Sequence, residues 1–364
     1  MGCKVVLGDI CSFSRGASIP RARMHDTGDY LYIHYGDLYK GFDLRIDVES
    51  PSKPIPFILR GEKVKESQCL KDQDIVYVLT SETVDDLGHA YLFNNPQNKL
   101  AVSGTETTIV RVKRRDLVIP AYLNYLMSSP CFIGELRRYV RGMKVFRVHP
   151  ADVSRIEIEL PHIETQRKVV SILDSIYTKQ RINTQLNGYL LELATTRFEQ
   201  ALFKSNRVVR LGDIVKLEDS KRVPLNSRDR DARKGPYPYY GATSIMDYVD
   251  DYLFWVNNHA HILAAASDYS LEAIYIALQR TPISHIVTGA VQRKISQRNL
   301  NKLKLEMPDA KSLEYLQDIF AAYRCNCEEN RGLVSLRDAL LPKLMSGEID
   351  VSKIDVAQLN SHLA

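Results

Sequence analysis

Cysteine is scarce and scattered: six residues in 364, Cys3, Cys11, Cys69, Cys131, Cys325 and Cys327, whose one close pair is CxC rather than CxxC. Neither a disulfide framework nor a zinc site is expected from such spacing. Long apolar runs are missing too. The densest, around Ile262 to Ala266, falls far short of the roughly 20 apolar residues of a membrane span, so no membrane protein is expected. Charge of one sign is also absent, because 49 Lys and Arg against 44 Asp and Glu leave only +5. A pI near 8.7 permits nucleic-acid binding without demanding it, and the distribution of charge must decide. The start, Met1-Gly2-Cys3-Lys4-Val5-Val6, has neither the apolar core of a signal peptide nor the Ser or Thr at position 6 that myristoylation uses, so a cytoplasmic chain is expected. What remains, 45% hydrophobic and 26% charged residues, is an ordinary folded composition that excludes disorder and collagen-like or mini-protein scaffolds. At roughly 100 to 200 residues per domain, the length predicts two domains.

Catalytic signatures are equally sparse. No GxxxxGK[ST] loop or GxGxxG turn cradles a nucleotide. The nearest string to the Asn/Asp-Pro-Pro-aromatic motif of an amino-methyltransferase, Phe93-Asn94-Asn95-Pro96-Gln97, lacks the second proline and the aromatic. Asp219-Ser220-Lys221, with Asp213 upstream, has the D-x-K form of a metal-dependent nuclease, but such triplets are common by chance. His259 and His261 would share one face of a strand, yet no Cys or carboxylate stands at ligand spacing, so they read as structural histidines.

The chain does contain itself twice. Val5-Val6-Leu7-Gly8-Asp9-Ile10 returns as Val209-Arg210-Leu211-Gly212-Asp213-Ile214, an offset of 204 from Leu7 to Leu211. Val140-Arg141-Gly142 and Ile156-Glu157-Ile158-Glu159-Leu160-Pro161 return as Val287-Thr288-Gly289 and Leu303-Lys304-Leu305-Glu306-Met307-Pro308, an offset of 147 from Pro161 to Pro308. Matched ends with unmatched interiors describe two homologous modules, the second shorter by 57 residues, the difference between the offsets 204 and 147. Short β-like runs such as Asp74–Leu79 and Thr108–Val112, alternating with modest helices such as Pro120–Met127, predict α/β or α+β globules.

After each proline the period turns helical. Val169, Ile172, Ile176, Lys179, Asn183, Leu186, Leu190 and Leu193 form a 3.5-residue seam, and adding 147 gives Leu316, Ile319, Tyr323, Asn326, Asn330, Leu333, Arg337 and Leu340. Each seam could run about 35 to 40 residues, or roughly 55 to 60 Å. The duplication predicts two equivalent helices packed antiparallel, with Asn183 and Asn330 fixing the register at some cost in stability. Leucine at both positions is therefore expected to raise thermal stability. The boundaries implied are 1–161 for the first module, 162–206 for the first long helix, 207–308 for the second module, 309–346 for the second long helix and 347–364 for a tail.

Basic residues cluster at equivalent places. Arg137, Arg138, Arg141, Lys144 and Arg147 lie within eleven residues that contain no acid. Lys221, Arg222, Arg228, Arg230, Arg233 and Lys234 are opposed within their segment only by Asp229 and Asp231, for a local +4. Arg293, Lys294 and Arg298 follow Gly289 as the first cluster surrounds Gly142. A positive segment at the same place in both modules favours a shared polyanion, with phosphate contacts from these side chains. Tyr239, Tyr240 and Thr243, in the run Pro236-Tyr237-Pro238-Tyr239-Tyr240-Gly241-Ala242-Thr243, could read base edges or sugars, or could equally be core residues.

With these residues in view the chain resembles the specificity subunit of type I restriction-modification systems. The resemblance rests on Leu211-Gly212-Asp213-Ile214, Gly235–Ala242, Trp255-Val256-Asn257-Asn258-His259-Ala260-His261 and Leu336–Ile349, and the first helix start, Pro161-His162-Ile163-Glu164-Thr165-Gln166, is similar to the family's Pro-x-x-Glu-Gln with one insertion. It implies a non-catalytic DNA reader in which two target-recognition domains each read half of a split sequence. It further implies paired helices that set the unread gap and dock two adenine methyltransferase subunits using S-adenosylmethionine, with a restriction subunit completing the complex. The family usually carries a further stretch between the equivalents of Phe254 and Trp255. Either the second recognition domain is shortened there or a loop between those residues is absent from the sequence. A methylation-only or two-part system would need much the same reader, and a structural adaptor without DNA affinity is the contrasting alternative.

Overall fold

The computed structural model describes residues 2–38, 41–84, 87–222, 224–240, 245–250, 255–256, 260–288 and 294–354. They divide into two compact units, Met1–Gln180 with Arg331–Ala364, and Arg181–Asn330.

In the first unit a five-stranded sheet runs in the order Cys11–Arg15, Thr107–Val112, Ile75–Val78, Ala90–Asn94, Arg45–Asp47, antiparallel except for the last pair. The run Ile75-Val76-Tyr77-Val78 is wholly buried because the sheet is covered on both faces. Alternation sorts its side chains. Ile75 and Tyr77 face a core shared with Leu123, Val169, Ile172, Leu341 and Leu344, while Val76 and Val78 face a second core with Ile33, Phe93 and Ile109. A separate ribbon pairs Cys3–Val6 with Glu157–Leu160 and brings the two ends of the module together.

The helix Ile163–Lys204 begins just past the end of that ribbon, after Pro161 and His162. Its first turn is fixed by Gln166, which is fully buried. The Gln166 amide nitrogen donates to the carbonyls of Leu117 (2.8 Å) and Pro161 (2.9 Å), and its oxygen accepts from the Ile119 amide (3.0 Å). Two turns on, Asp174 accepts from Tyr125 Oη at 2.8 Å and pairs with Arg45 of the sheet, whose guanidinium lies over the Tyr177 ring at 4.8 Å. Burial pushes the Asp174 carboxyl up, and the bonds from Arg45 and Tyr125 offset only part of that effect. The second long helix, Tyr315–Met345, is tied to the same module by Arg337, paired with Asp43.

The second unit repeats the frame. Arg207–Arg210 pairs with Lys304–Met307 as Cys3–Val6 pairs with Glu157–Leu160. The Leu7 amide donates to Ile156 O (3.1 Å) and the Leu211 amide to Leu303 O (2.8 Å), so the two sequence offsets meet in one hydrogen bond made twice. Gly8 and Gly212, second residues of the matching short helices Leu7–Ile10 and Leu211–Ile214, make the same close approach. A Cβ on Gly8 would stand 3.0 Å from Ser154 O, and one on Gly212 3.0 Å from Asn301 O, both below normal contact. Around this frame lie the strand pair Val215–Leu217 with Leu263–Ala265, a three-stranded sheet ordered Ile245–Val249, Lys234–Tyr240, Trp255–Val256, and the helix Leu271–Arg280, whose N-terminus Ser270 caps.

Between the long helices, the amide of Asn183, 1% exposed, donates to Asn330 Oδ1 (3.0 Å) and Glu329 Oε2 (2.6 Å). Asn187 donates to Tyr323 O (3.2 Å) and accepts from Asn326 (2.8 Å). Partner numbers fall as the first helix ascends, so the helices run antiparallel there. The expected seam needs correcting beyond Asn183. Leu186 and Leu193 are 46% and 43% exposed, and the buried positions are Asn187, Ala194, Phe198 and Ala201. The cause is that this half of the helix also packs on the second module's core, with Leu211, Ile276 and Leu316, which turns its buried face by one residue, about 100°. The second helix starts at Tyr315 rather than at 309, because a 3-10 turn, Ala310–Leu313, occupies its approach and Leu313 holds the place that Gln166 holds in the first. Among the described residues no helix is long and apolar enough to cross a membrane.

Candidate nucleic-acid interface

The first basic cluster divides into two structures. Arg137 and Arg138 belong to a single 3-10 turn, Arg137–Tyr139, after the helix Pro130–Leu136. Arg138 is engaged by Glu135 of that helix (2.8 Å). Arg141 and Arg147 instead close a hairpin through reciprocal backbone hydrogen bonds of 2.9 and 2.8 Å. The turn depends on Gly142, at φ +112°, since a Cβ there would stand 2.1 Å from Val145 O. The hairpin is anchored where Phe146 and Arg147 pair with Ser81 and Thr80, and Phe146 packs against the core.

Beside the hairpin opens a cleft of about 690 Å³ whose walls include Arg15, Gly16, Thr105, Arg141, Arg147 and His149. Arg15 Nη2 lies 2.9 Å from His149 Nε2. Arg141 reaches Asp152 at 2.9 Å and Arg147 reaches Glu106 at 3.7 Å, yet their side chains remain 74% and 62% exposed. Arg147 and Glu106 form an exposed pair worth about 0 to 1 kcal/mol, and Arg141 meets the buried Asp152 from an exposed position, so both guanidiniums stand where a phosphate can reach them. Arg15 and His149 escape any local charge count because the fold, not the chain, brings them beside Arg141. No repeat signal marks them, because the repeated string ends at Ile10 and the position 204 residues beyond Arg15 is Asp219.

The second module keeps the hairpin and changes its surroundings. Thr288 pairs with Lys294 where Arg141 pairs with Arg147, again at the 147-residue offset. Lys294 is exposed, as is Arg298 on the following helix Gln297–Asn301. Arg293 and Thr243 lie outside the described residues, as do His259 and the junction at Phe254. At the place corresponding to Arg15 stands Asp219, 8% exposed, which meets His261 Nδ1 (2.6 Å), Gln297 Nε2 (2.5 Å) and the Ile262 amide (3.0 Å). Burial pushes its carboxyl up, but the bonds from Gln297, Ile262 and His261 together outweigh that and hold it below the usual range. His261 Nε2 lies 2.8 Å from Ile295 O, so both ring nitrogens serve the module's own packing.

Two expected contacts need correction here. Tyr239 is fully buried, its hydroxyl bonded to the Leu225 amide at 2.8 Å and Arg230 lying over its ring. It is a core tyrosine, while its neighbour Tyr240 is 40% exposed. Arg222 donates to the carbonyls of Asp219 (2.8 Å) and Ala260 (3.0 Å), a structural duty that withdraws it from an outer surface. The surrounding run is also less positive in space than along the chain. Lys221 pairs with Glu218 (2.6 Å), Arg230 and Lys234 with Asp247 (3.3 and 2.6 Å), and Arg233 with Asp250 (3.1 Å), all carboxylates from outside the run.

Residues 4–191 match the family described as the type I restriction modification DNA specificity domain. Among curated proteins, the chain is similar to the type I restriction enzyme MjaIX specificity subunit of Methanocaldococcus jannaschii, 21% identical over 82% of this chain and 84% of that one. It is also similar to the HindI specificity subunit of Haemophilus influenzae, 28% identical over 55% of this chain and 39% of that protein. In fold it resembles the crystal structure of the type I restriction-modification system S subunit from M. genitalium, with a TM-score of 0.52 and 15% identity over 94% of this chain and 96% of that one. A duplicated module frame, a long helix after each copy and a family match across half of the sequence converge: the chain belongs to the type I restriction-modification DNA specificity family.

Proposed function

We propose that this chain is a non-catalytic DNA reader whose two modules each recognise one half of a split target. The observation that carries the reading is the frame made twice, with a cation-bearing hairpin at the same place in both copies, Arg141–Arg147 and Thr288–Lys294. Phosphate contact would come from Arg15, Arg141, Lys144 and Arg147 in the first module and from Lys294 and Arg298 in the second. The antiparallel helices, registered by Asn183 and Asn330, would form the coiled coil that sets the unread gap.

Docking of two adenine methyltransferase subunits finds support on the helices themselves. Ile182, Leu186, Tyr189 and Leu193, all more than a third exposed, form a stripe at i, i+4, i+7 and i+11 on one face of the first helix. Tyr189 and Leu336, 147 residues apart, are both exposed apolar residues, 68% and 44%. One such position on each helix suits two copies of one partner. S-adenosylmethionine would be bound by that partner, and a restriction subunit would join the same assembly. Co-expression with adenine methyltransferase subunits, followed by sequencing of host DNA for N6-methyladenine, tests the reading. A motif with two fixed halves is expected; a stable complex that methylates no defined motif would overturn it.

A further inference from the structure

The tip of the first hairpin carries a residue that phosphate binding does not explain. Met143 is 93% exposed and Val145 beside it 41% exposed, although both stand in the most basic stretch of the module. The tip is held firmly: two backbone hydrogen bonds close it, Gly142 makes its turn, and Phe146 and Arg147 are paired to Ser81 and Thr80. A thioether is only a weak hydrogen-bond acceptor, so beyond touching a thymine methyl Met143 has little with which to read a base edge. What an apolar side chain can do to a duplex is fill the space between two unstacked bases. Docking on a protein would call for a wider apolar patch around Met143, whereas apart from Val145 its flanks are the cations Arg141, Lys144 and Arg147.

We propose that the Arg141–Arg147 hairpin is a wedge, with Met143 inserted between adjacent base pairs of the first half-site and the flanking cations holding the phosphates on either side. The inference rests on the DNA-reading assignment above and adds a deformation step to it. An opened step lowers the cost of extruding a neighbouring nucleotide, which methylation of a base requires. In sequence register Ala290, outside the described residues, stands where Met143 does, so the wedge belongs to the first half-site.

The test uses the full chain with its methyltransferase partner, without S-adenosylmethionine, on duplexes carrying 2-aminopurine in turn at each position of the target except the methylated adenine. Wild type is expected to raise fluorescence several-fold at one step of the first half-site. Met143→Leu keeps that signal, while Met143→Ala abolishes it and weakens target binding about tenfold with an unchanged salt slope. Equal fluorescence from wild type and Met143→Ala overturns the wedge alone, leaving sequence-specific binding intact. Loss of the methyltransferase from the Met143→Ala complex, with the DNA signal kept, makes the tip a protein contact and overturns it too. Absence of sequence-specific binding by wild type removes the DNA-reading assignment together with the wedge.

Discussion

Arg222 and Arg141 have the same charge and opposite uses. Arg222 bonds to the carbonyls of Asp219 and Ala260 with its side chain 22% exposed, so turning it toward a ligand would strip those carbonyls of their donor. Arg141 extends into the cleft from an anchored hairpin and meets Asp152 through a side chain that is 74% exposed. Replacing Arg141, Lys144 and Arg147 together by glutamine is expected to weaken binding to all duplexes and to lower the slope of log K against log salt by about 3, near 1 for each lost phosphate contact. Arg138→Gln, which removes a cation on the 3-10 turn outside the walls of the cleft, should shift that slope by well under 1. A titration of duplex binding against salt measures both, and an unchanged slope in the triple variant would remove the hairpin from the contact set.

Among the elements, the long helices join a legible period to an illegible face. Both asparagines were visible in the sequence as polar interruptions of an apolar seam, and in the structure their side chains bond to each other. The bond makes single and double substitutions behave differently. Asn183→Leu alone leaves Asn330 facing an apolar partner and is expected to lower the melting temperature by about 2 to 4 °C. Asn183→Leu with Asn330→Leu replaces both members and should melt at or above wild type. Thermal melts of the full chain decide this, and a double variant less stable than either single one would contradict a register role. Gln166 shows why the helix start resembles a family string: three hydrogen bonds from one buried amide fix the first turn to Leu117, Ile119 and Pro161.

For the molecule as a whole, duplication is the organising fact. One chain holds two modules, each closed by a two-stranded ribbon joining its ends and each followed by a long helix. If the helices set the unread gap, inserting one heptad into each helix at matching positions lengthens the pair by about 10 Å, close to three base pairs. The methylated motif should then keep both half-sites and gain about three unread bases. Single-molecule sequencing of host DNA reads the outcome directly; altered half-site bases with an unchanged gap would reject the ruler.

The repeat, the two helices and the resemblance to specificity subunits could all be read from the chain, because each is written in local order: a strand–glycine–helix string met twice and a heptad period met twice. The meeting of both offsets in the Leu7 and Leu211 hydrogen bonds, by contrast, appeared only in the fold. Which members of those patterns face outward emerged with folding alone. Burial and pairing arise between residues far apart in the chain, as where Arg15 meets His149, Arg230 meets Asp247 and Asp219 meets Gln297. A count of charge along the chain registers the cations and not the carboxylates the fold brings to them. A seam likewise gives a helix's period but not the core on which its far half settles, and that core left Leu186 and Leu193 exposed while burying Asn187 and Ala194.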